Sequence, residues 1–163
     1  MKDLTLYTQQ CMKELHAIGI EFGNVLEVVP NTRAQRRWGQ CERTAFGYKL
    51  NINARLLADD APDYGLKSTI IHELLHTCKG CMNHGKRWKE LAKQVHEAYG
   101  YNIQRADTPE DKGMKPIPRP EPKYILSCKV CGAKIGRRRM SDVIRHPEWY
   151  RHTGCGGVLE RIK

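Results

Sequence analysis

Apolar residues recur at three- and four-residue steps from Leu4 through Tyr7, Cys11 and Leu15 to Ile18, the spacing of one helix face. Asp3 can cap this helix and Gly19 can end it, and Cys11 on the stripe reads as a buried small hydrophobe. The period then shortens. Asn24–Val29 is β-rich and stopped by Pro30, Arg36–Cys41 follows, and Phe46, Tyr48, Leu50 and Ile52 alternate on one face. These runs predict a small, largely antiparallel sheet with one buried face. Gly39 after Trp38 allows a bulge or a close backbone approach near the next helix. Cys41 has no partner nearby in sequence and is expected to be structural.

Two further helices follow. Asp60-Ala61-Pro62 looks like a helix start, so the second helix is expected from about Pro62 to Cys78, broken by Gly80 and Asn83. Leu66, Ile70, Ile71, Leu74 and Leu75 share its apolar arc. A third helix is expected from about Gly85 to Tyr99, ended by Gly100, with Trp88, Leu91, Ala92, Val95 and Tyr99 as its stripe.

The second helix carries His72-Glu73-Leu74-Leu75-His76 on its polar side. Residues four apart share a helix face, so both imidazoles can take corners of one tetrahedral zinc site. Glu73, beside the first ligand, can reach a water on the metal and act as general base. Two candidates exist for a third ligand. Glu97 lies nine residues beyond Trp88, half a revolution away, and should face solvent. His84, one turn before Trp88, faces the core side if the helical path extends back that far, so geometry favours His84. His96, at the edge of the stripe, is expected to be structural or exposed. Cys78-Lys-Gly-Cys81 is a CxxC pair, read here as thiols lining a tight turn, because three histidines complete the protein side of a catalytic zinc.

The composition changes at Thr108. Pro109, Pro116, Pro118, Pro120 and Pro122 alternate with charges up to Lys123, and almost no apolar residue is available for a core. Residues 108–123 therefore read as a linker. Beyond it, Cys128-Lys-Val-Cys131-Gly132 and His152-Thr-Gly-Cys155-Gly156 each place two ligands three apart, with glycine after the second. Four such residues suit a closed, structural Cys₃His zinc site. His146 is the rival fourth ligand but lacks the two-residue spacing to Cys155. A module of this size has little core of its own, so the metal is expected to be its main source of stability.

Charge sharpens this picture. The 163-residue chain has 28 Lys and Arg against 18 Asp and Glu, a net of +10. Residues 124–163 hold nine of the basic residues and three of the acidic, a net of +6 in the last module. Arg137, Arg138 and Arg139, with Trp149 and Tyr150 nearby in sequence, suit phosphates and exposed bases, so nucleic acid is the expected partner. Seven cysteines, an odd number at metal-type spacings, fit a reducing compartment better than a disulfide framework. Met1-Lys-Asp-Leu-Thr leads into an amphipathic pattern instead of an apolar leader, and no run approaches the roughly 20 apolar residues of a membrane span. A cytoplasmic protein, with nucleoid or DNA association, is expected.

The His72-Glu-Leu-Leu-His76 helix, the later His84-Gly85-Lys-Arg-Trp88 and the basic C-terminal ribbon together resemble the SprT-like, Spartan-related zinc metalloprotease family. Arg37-Trp-Gly-Gln-Cys41 and Leu50-Asn-Ile-Asn53 also resemble the related WG-type metallohydrolases of bacteria. The resemblance departs at His152, where a cysteine is usual, and gives Cys78 and Cys81 no role. It implies an α+β fold: a zincin-like minimal metalloprotease domain over residues 1–107, the linker 108–123, and a basic zinc ribbon over 124–163. It also implies a catalytic Zn²⁺ on His72, His76 and His84 with Glu73 as base, besides the structural Zn²⁺ on Cys128, Cys131, His152 and Cys155. The substrate would be protein associated with DNA. The alternatives are a nucleic-acid-binding zinc protein without protease activity and a metal-dependent hydrolase of a non-protein substrate.

Overall fold

Asp3 starts the first helix, α1 (Leu4–Ala17), by accepting from the amides of Thr5 at 2.9 Å and Leu6 at 3.1 Å. Two amides that would otherwise lack partners are thereby satisfied. Leu4, Thr8, Cys11 and Leu15 form its buried face, and Gly19 turns the chain with φ 75°. The structure is a computed structural model that describes residues 1–163. The chain divides into two units, Met1–Ile117 and Pro118–Lys163.

In the first unit, three strands form one sheet: β1 (Val25–Asn31), β2 (Gly39–Arg43) and β3 (Tyr48–Asn53). Their order is β1-β3-β2, with β2 antiparallel to β3 but β1 parallel to it. The sheet is therefore mixed, where a largely antiparallel one was expected. Residues 32–38 carry the chain across, so β3 returns between the two earlier strands, and β2 becomes a sheet edge. Asn53 holds this crossing. Its buried side chain donates to the carbonyls of Ala34 and Arg37, both at 2.9 Å, and accepts from the Arg55 amide at 3.0 Å. Arg36 to Trp38 thus lie in the connecting loop and not in the strand predicted there. Phe46, expected on the buried face, is 84% exposed in the β2–β3 turn, and the buried alternation begins only with Leu50 and Ile52.

The second helix, α2 (Asp63–Thr77), packs on this sheet and on α1. Leu66, Ile70, Ile71, Leu74 and Leu75 are all fully buried, meeting Leu50 and Ile52 of β3 and Cys11 and Leu15 of α1 in one core. Each such side chain contributes about 1.5–3 kcal/mol through burial. The third helix, α3 (Lys86–Tyr99), adds Trp88, Ala92 and Val95, and Gly100 ends it in the left-handed conformation at φ 74°.

The first unit continues past residue 107, so the first ten residues of the expected linker are folded. Glu110–Lys112 form a short 3₁₀ turn. Lys112 is 2% exposed; its Nζ meets Asp107 Oδ2 at 2.7 Å and Ser68 Oγ of α2 at 2.8 Å. Met114 packs against the core. An ion pair and a hydrogen bond hold this segment, which explains why a scan for apolar residues read it as linker.

The second unit is an antiparallel sheet of order β5-β4-β6, from β4 (Tyr124–Cys128), β5 (Lys134–Arg137) and β6 (Leu159–Arg161). A one-turn helix, α4 (Asp142–Arg145), lies between β5 and β6. Leu126, Cys128 and Leu159 form a buried cluster here, with Ala133, Ile135 and Val143 packed against it, and Ile144 of α4 is buried as well. No helix of the chain is long and apolar enough to cross a membrane.

Candidate active site and metal centres

α2 presents His72 and His76 one turn apart, as expected from their spacing. His84 is not on α3. It precedes the N-cap Gly85 and arrives from the loop after α2. Its Nε2 nevertheless lies 3.1 Å from Nε2 of His72 and 3.2 Å from Nε2 of His76, and the His72–His76 pair is also 3.2 Å apart. The three nitrogens form a nearly equilateral triangle. Zinc–nitrogen bonds of about 2.0–2.1 Å at tetrahedral angles require edges of about 3.3 Å, close to what is found. Trp88 packs against all three rings.

One hydrogen bond and burial suit these rings to hold a metal. His76 Nδ1 donates to the carbonyl of Cys81 at 2.7 Å, which leaves the lone pair on Nε2 facing the other two imidazoles. Burial, then the neighbouring His76 and His84, pushes the His72 pKa down to about 3. Burial likewise lowers His76 and His84. The triad is therefore neutral at ordinary pH, the form a metal needs. The role of Cys81 in this arrangement belongs to its backbone oxygen. Cys78 and Cys81 line the tight turn predicted for them, with the Cys81 amide donating to the Cys78 carbonyl at 3.0 Å, and both residues are buried.

Glu73 follows His72 and is 5% exposed. Burial raises its pKa to about 8, against the opposing pull of Lys112, Arg37 and the Cys41 amide. Its carboxylate faces Gly39 at the start of β2: a Cβ on Gly39 would stand 2.7 Å from Glu73 Cγ. The close backbone approach anticipated at Gly39 is thus a contact with the candidate base. A cleft of ≈ 220 Å³ opens beside these groups, lined by Trp38, Gly39, Thr69, His72, Glu73 and Asp107. The Trp38 indole donates to the Asp107 carbonyl at 3.1 Å, tying the loop before β2 to the segment after α3. Cys41, the expected structural thiol, is half-buried, and burial followed by the Glu73 charge pushes its pKa to about 12. Glu97 is exposed and pairs with Lys93 at 3.5 Å, outside the site; His96 is exposed as well.

In the second unit Cys128, Cys131, His152 and Cys155 converge. Cys128 Sγ lies 3.5 Å from Cys155 Sγ, and His152 Nδ1 lies 3.3 Å from Cys131 Sγ and 3.2 Å from Cys155 Sγ. With zinc–sulfur bonds near 2.3 Å, tetrahedral edges come to about 3.5–3.8 Å, so this quartet also fits zinc after small adjustments. Gly132 and Gly156 each follow a ligand pair at φ 70°, the turn that glycine supplies most readily. Amides of Cys131 and Val130 lower the Cys128 thiol to about 7, toward the thiolate a metal binds. His146 does not join the cluster; it stacks on Trp149 with ring centroids 4.0 Å apart. Arg137 ends β5, and Arg138 and Arg139 follow it, all exposed. Trp149 is 69% exposed.

His72, Glu73 and His76 on α2, completed by His84 from the loop that follows and set against a sheet edge, make a candidate site of the zinc-metallopeptidase type. The chain belongs to the SprT-like family, whose sequence model matches residues 8–107. A comparison with curated proteins finds no match. The residues matched span the triad and Glu73 and end where the second unit has not begun. Asn53, which holds the loop before β2, Arg105, which lines the cleft from the segment after α3, and the Cys81 carbonyl are the parts of the site that sequence reasoning did not identify. A backbone oxygen leaves no mark in a sequence, whereas Asn53 stood inside the Leu50-Asn-Ile-Asn53 motif already singled out.

Proposed function

We propose that the chain is a zinc-dependent peptidase acting on nucleic-acid-associated proteins. The observation that carries the reading is the Nε2 triangle of His72, His76 and His84 with Glu73 buried beside it on the cleft. His72, His76 and His84 would hold zinc, which would supply Lewis acidity toward water and a peptide carbonyl. Glu73 takes the proton of the attacking water and returns it to the leaving amine. A carboxyl group brought by burial toward neutral pH is matched to both halves of that transfer. β2 is an edge strand whose first residue lines the cleft, so its free backbone groups can hold an extended substrate by strand addition.

The second unit supports the choice of substrate. The net charge of +6 over residues 124–163, the exposed Arg137-Arg138-Arg139 run and the exposed Trp149 suit phosphates and bases, and its zinc would be structural. Such a unit confines cleavage to proteins on nucleic acid and fits a cytoplasmic, DNA-associated enzyme. The test compares wild type with Glu73→Gln for zinc content and for cleavage of a DNA-bound protein. Two zinc ions in both, with cleavage only by wild type, is expected. Equal cleavage removes the role of Glu73, and zinc with no cleavage in either favours a nucleic-acid-binding zinc protein.

A further inference from the structure

Arg36 and Arg37, from the loop before β2, and Arg105, from the segment after α3, all line the cleft that holds His72 and Glu73. Arg105 also lines the neighbouring hollow at His84 and a third one over Trp88 and Ala92 of α3. None of the three side chains makes an ion pair or a hydrogen bond within the protein. Of the other cations near α2 and the sheet, Lys49 pairs with Glu27, Lys67 with Glu14 and Lys112 with Asp107, while Arg43 at the far end of β2 is exposed and unpaired but does not line the cleft. The two acids in the cleft are committed too, Glu73 buried as the candidate base and Asp107 bound to Lys112. Unpaired positive charge from three arginines therefore lines this one opening. It flanks the chemistry on both sides, since Arg37 is near enough to Glu73, and Arg105 to His84, to act on their ionisation.

We infer that the cleft selects peptides carrying Asp or Glu side chains next to the scissile bond, with Arg36, Arg37 and Arg105 as the specificity-determining residues. This rests on the peptidase reading and names its substrate class. Guanidinium forks match carboxylates in bidentate geometry, and long exposed arginines reach side chains on either side of a peptide laid along β2. At ≈ 220 Å³ the cleft is smaller than the roughly 300–1,000 Å³ of ordinary ligand pockets, which suits a narrow extended chain more than a nucleic-acid strand. Exposed ion pairs give about twofold each, so the three together imply a preference of about tenfold that weakens as salt rises.

The experiment uses the full-length, zinc-loaded protein and two peptides of one sequence, with Glu or with Gln flanking the cut. Wild type should show a ratio of kcat/KM, Glu over Gln, of about tenfold at low salt. That ratio should fall to about twofold in Arg36→Gln/Arg37→Gln and to about fivefold in Arg105→Gln. Arg33→Gln, on the same loop but outside the cleft, should keep it. The same peptides, titrated by fluorescence anisotropy onto zinc-loaded Glu73→Gln, should show the same preference without any cleavage. A binding ratio near one, or arginine variants that lower both peptides equally, overturns the inference. So does a short single-stranded oligonucleotide that occupies the cleft through these arginines more tightly than the acidic peptide. Absence of cleavage by wild type with the binding preference intact overturns the peptidase reading and supports the acidic-ligand preference.

Discussion

Gly39 and Glu73 are in contact across the cleft: the first residue of an edge strand lies against the carboxylate beside the histidine triad, with room for a hydrogen but not for a methyl. A Cβ at position 39 would fall 2.7 Å from Glu73 Cγ and 2.8 Å from its Cδ. Both atoms belong to a buried side chain with little freedom to retreat. Gly39→Ala should therefore move the carboxylate by a sizeable fraction of an ångström while sparing the three histidines. A misplacement of about 1 Å at a reacting group can cost a hundredfold in rate. Peptidase activity should drop by about that factor with zinc content unchanged, as measured by metal analysis beside steady-state kinetics. Full activity in the alanine variant would mean that Glu73 does not work from the position seen here.

Burial gives Glu73 a pKa of about 8 in the metal-free protein, well above its unfolded value near 4.5. The folded state then holds the proton more tightly than the unfolded one, so this group's contribution to stability is complete below about pH 4.5. It is lost progressively as the pH rises toward about 8, at up to about 1.4 kcal/mol per pH unit. His72, pushed down to about 3, works in the opposite sense: its contribution is present above about 6.5 and is lost as pH falls through 3. The two trends offset each other between about 4.5 and 6.5, leaving Glu73 to dominate above. Between pH 6.5 and 8, the urea midpoint of metal-free wild type should fall relative to that of metal-free Glu73→Gln. Parallel curves for the two proteins would contradict the raised pKa.

Much of this site was legible because its chemistry sits at helical spacing. His72, Glu73 and His76 needed only the four-residue period, and the buried stripe of α2 needed only Leu66 to Leu75. His84 was reached through the geometry of α3, although it lies in the loop before that helix; its closeness to Trp88 in the chain mattered more than its helicity. Sheet topology was less accessible. Alternation in residues 48–52 reports which face is buried but carries no information on strand direction, and the parallel pairing of β1 with β3 depends on a crossing held by Asn53. The ribbon ligands were readable as two spaced pairs. The fold of residues 108–117 was not, because it depends on a buried ion pair and not on apolar residues.

That pair leads to a stability prediction. Lys112 and the side chain of Asp107 are 2% and 7% exposed, and Lys112 also donates to Ser68 on α2. Removing one member of a buried pair leaves an uncompensated charge and typically costs about 3–5 kcal/mol. Lys112→Ala should destabilise the first unit by about that amount in urea unfolding. The double variant Lys112→Met/Asp107→Asn should recover part of the loss, since neither position then carries a buried charge. Similar losses in the single and double variants would show that the segment is held by something other than this pair.

The ribbon makes the opposite demand on its metal from that of the histidine site. Around Cys128, Cys131, His152 and Cys155 the second unit buries a cluster of only Leu126, Cys128 and Leu159, too small to hold about 45 residues folded. Structural zinc in such modules carries about 10–16 kcal/mol of binding free energy, which is folding free energy. The first unit has a core drawn from α1, α2, α3 and the sheet and does not depend on a metal in that way. Cys128→Ser should therefore reduce the zinc content from two to one and open residues 118–163 to limited proteolysis. The first unit should keep its thermal transition and its cleavage of free peptides, while binding to nucleic acid is lost. A chelator should act in two stages, abolishing cleavage by metal removal from the histidines and separately exposing the second unit to protease. If the serine variant instead leaves residues 118–163 protease-resistant, the small core around Leu126 is sufficient and the quartet is not the module's structural centre.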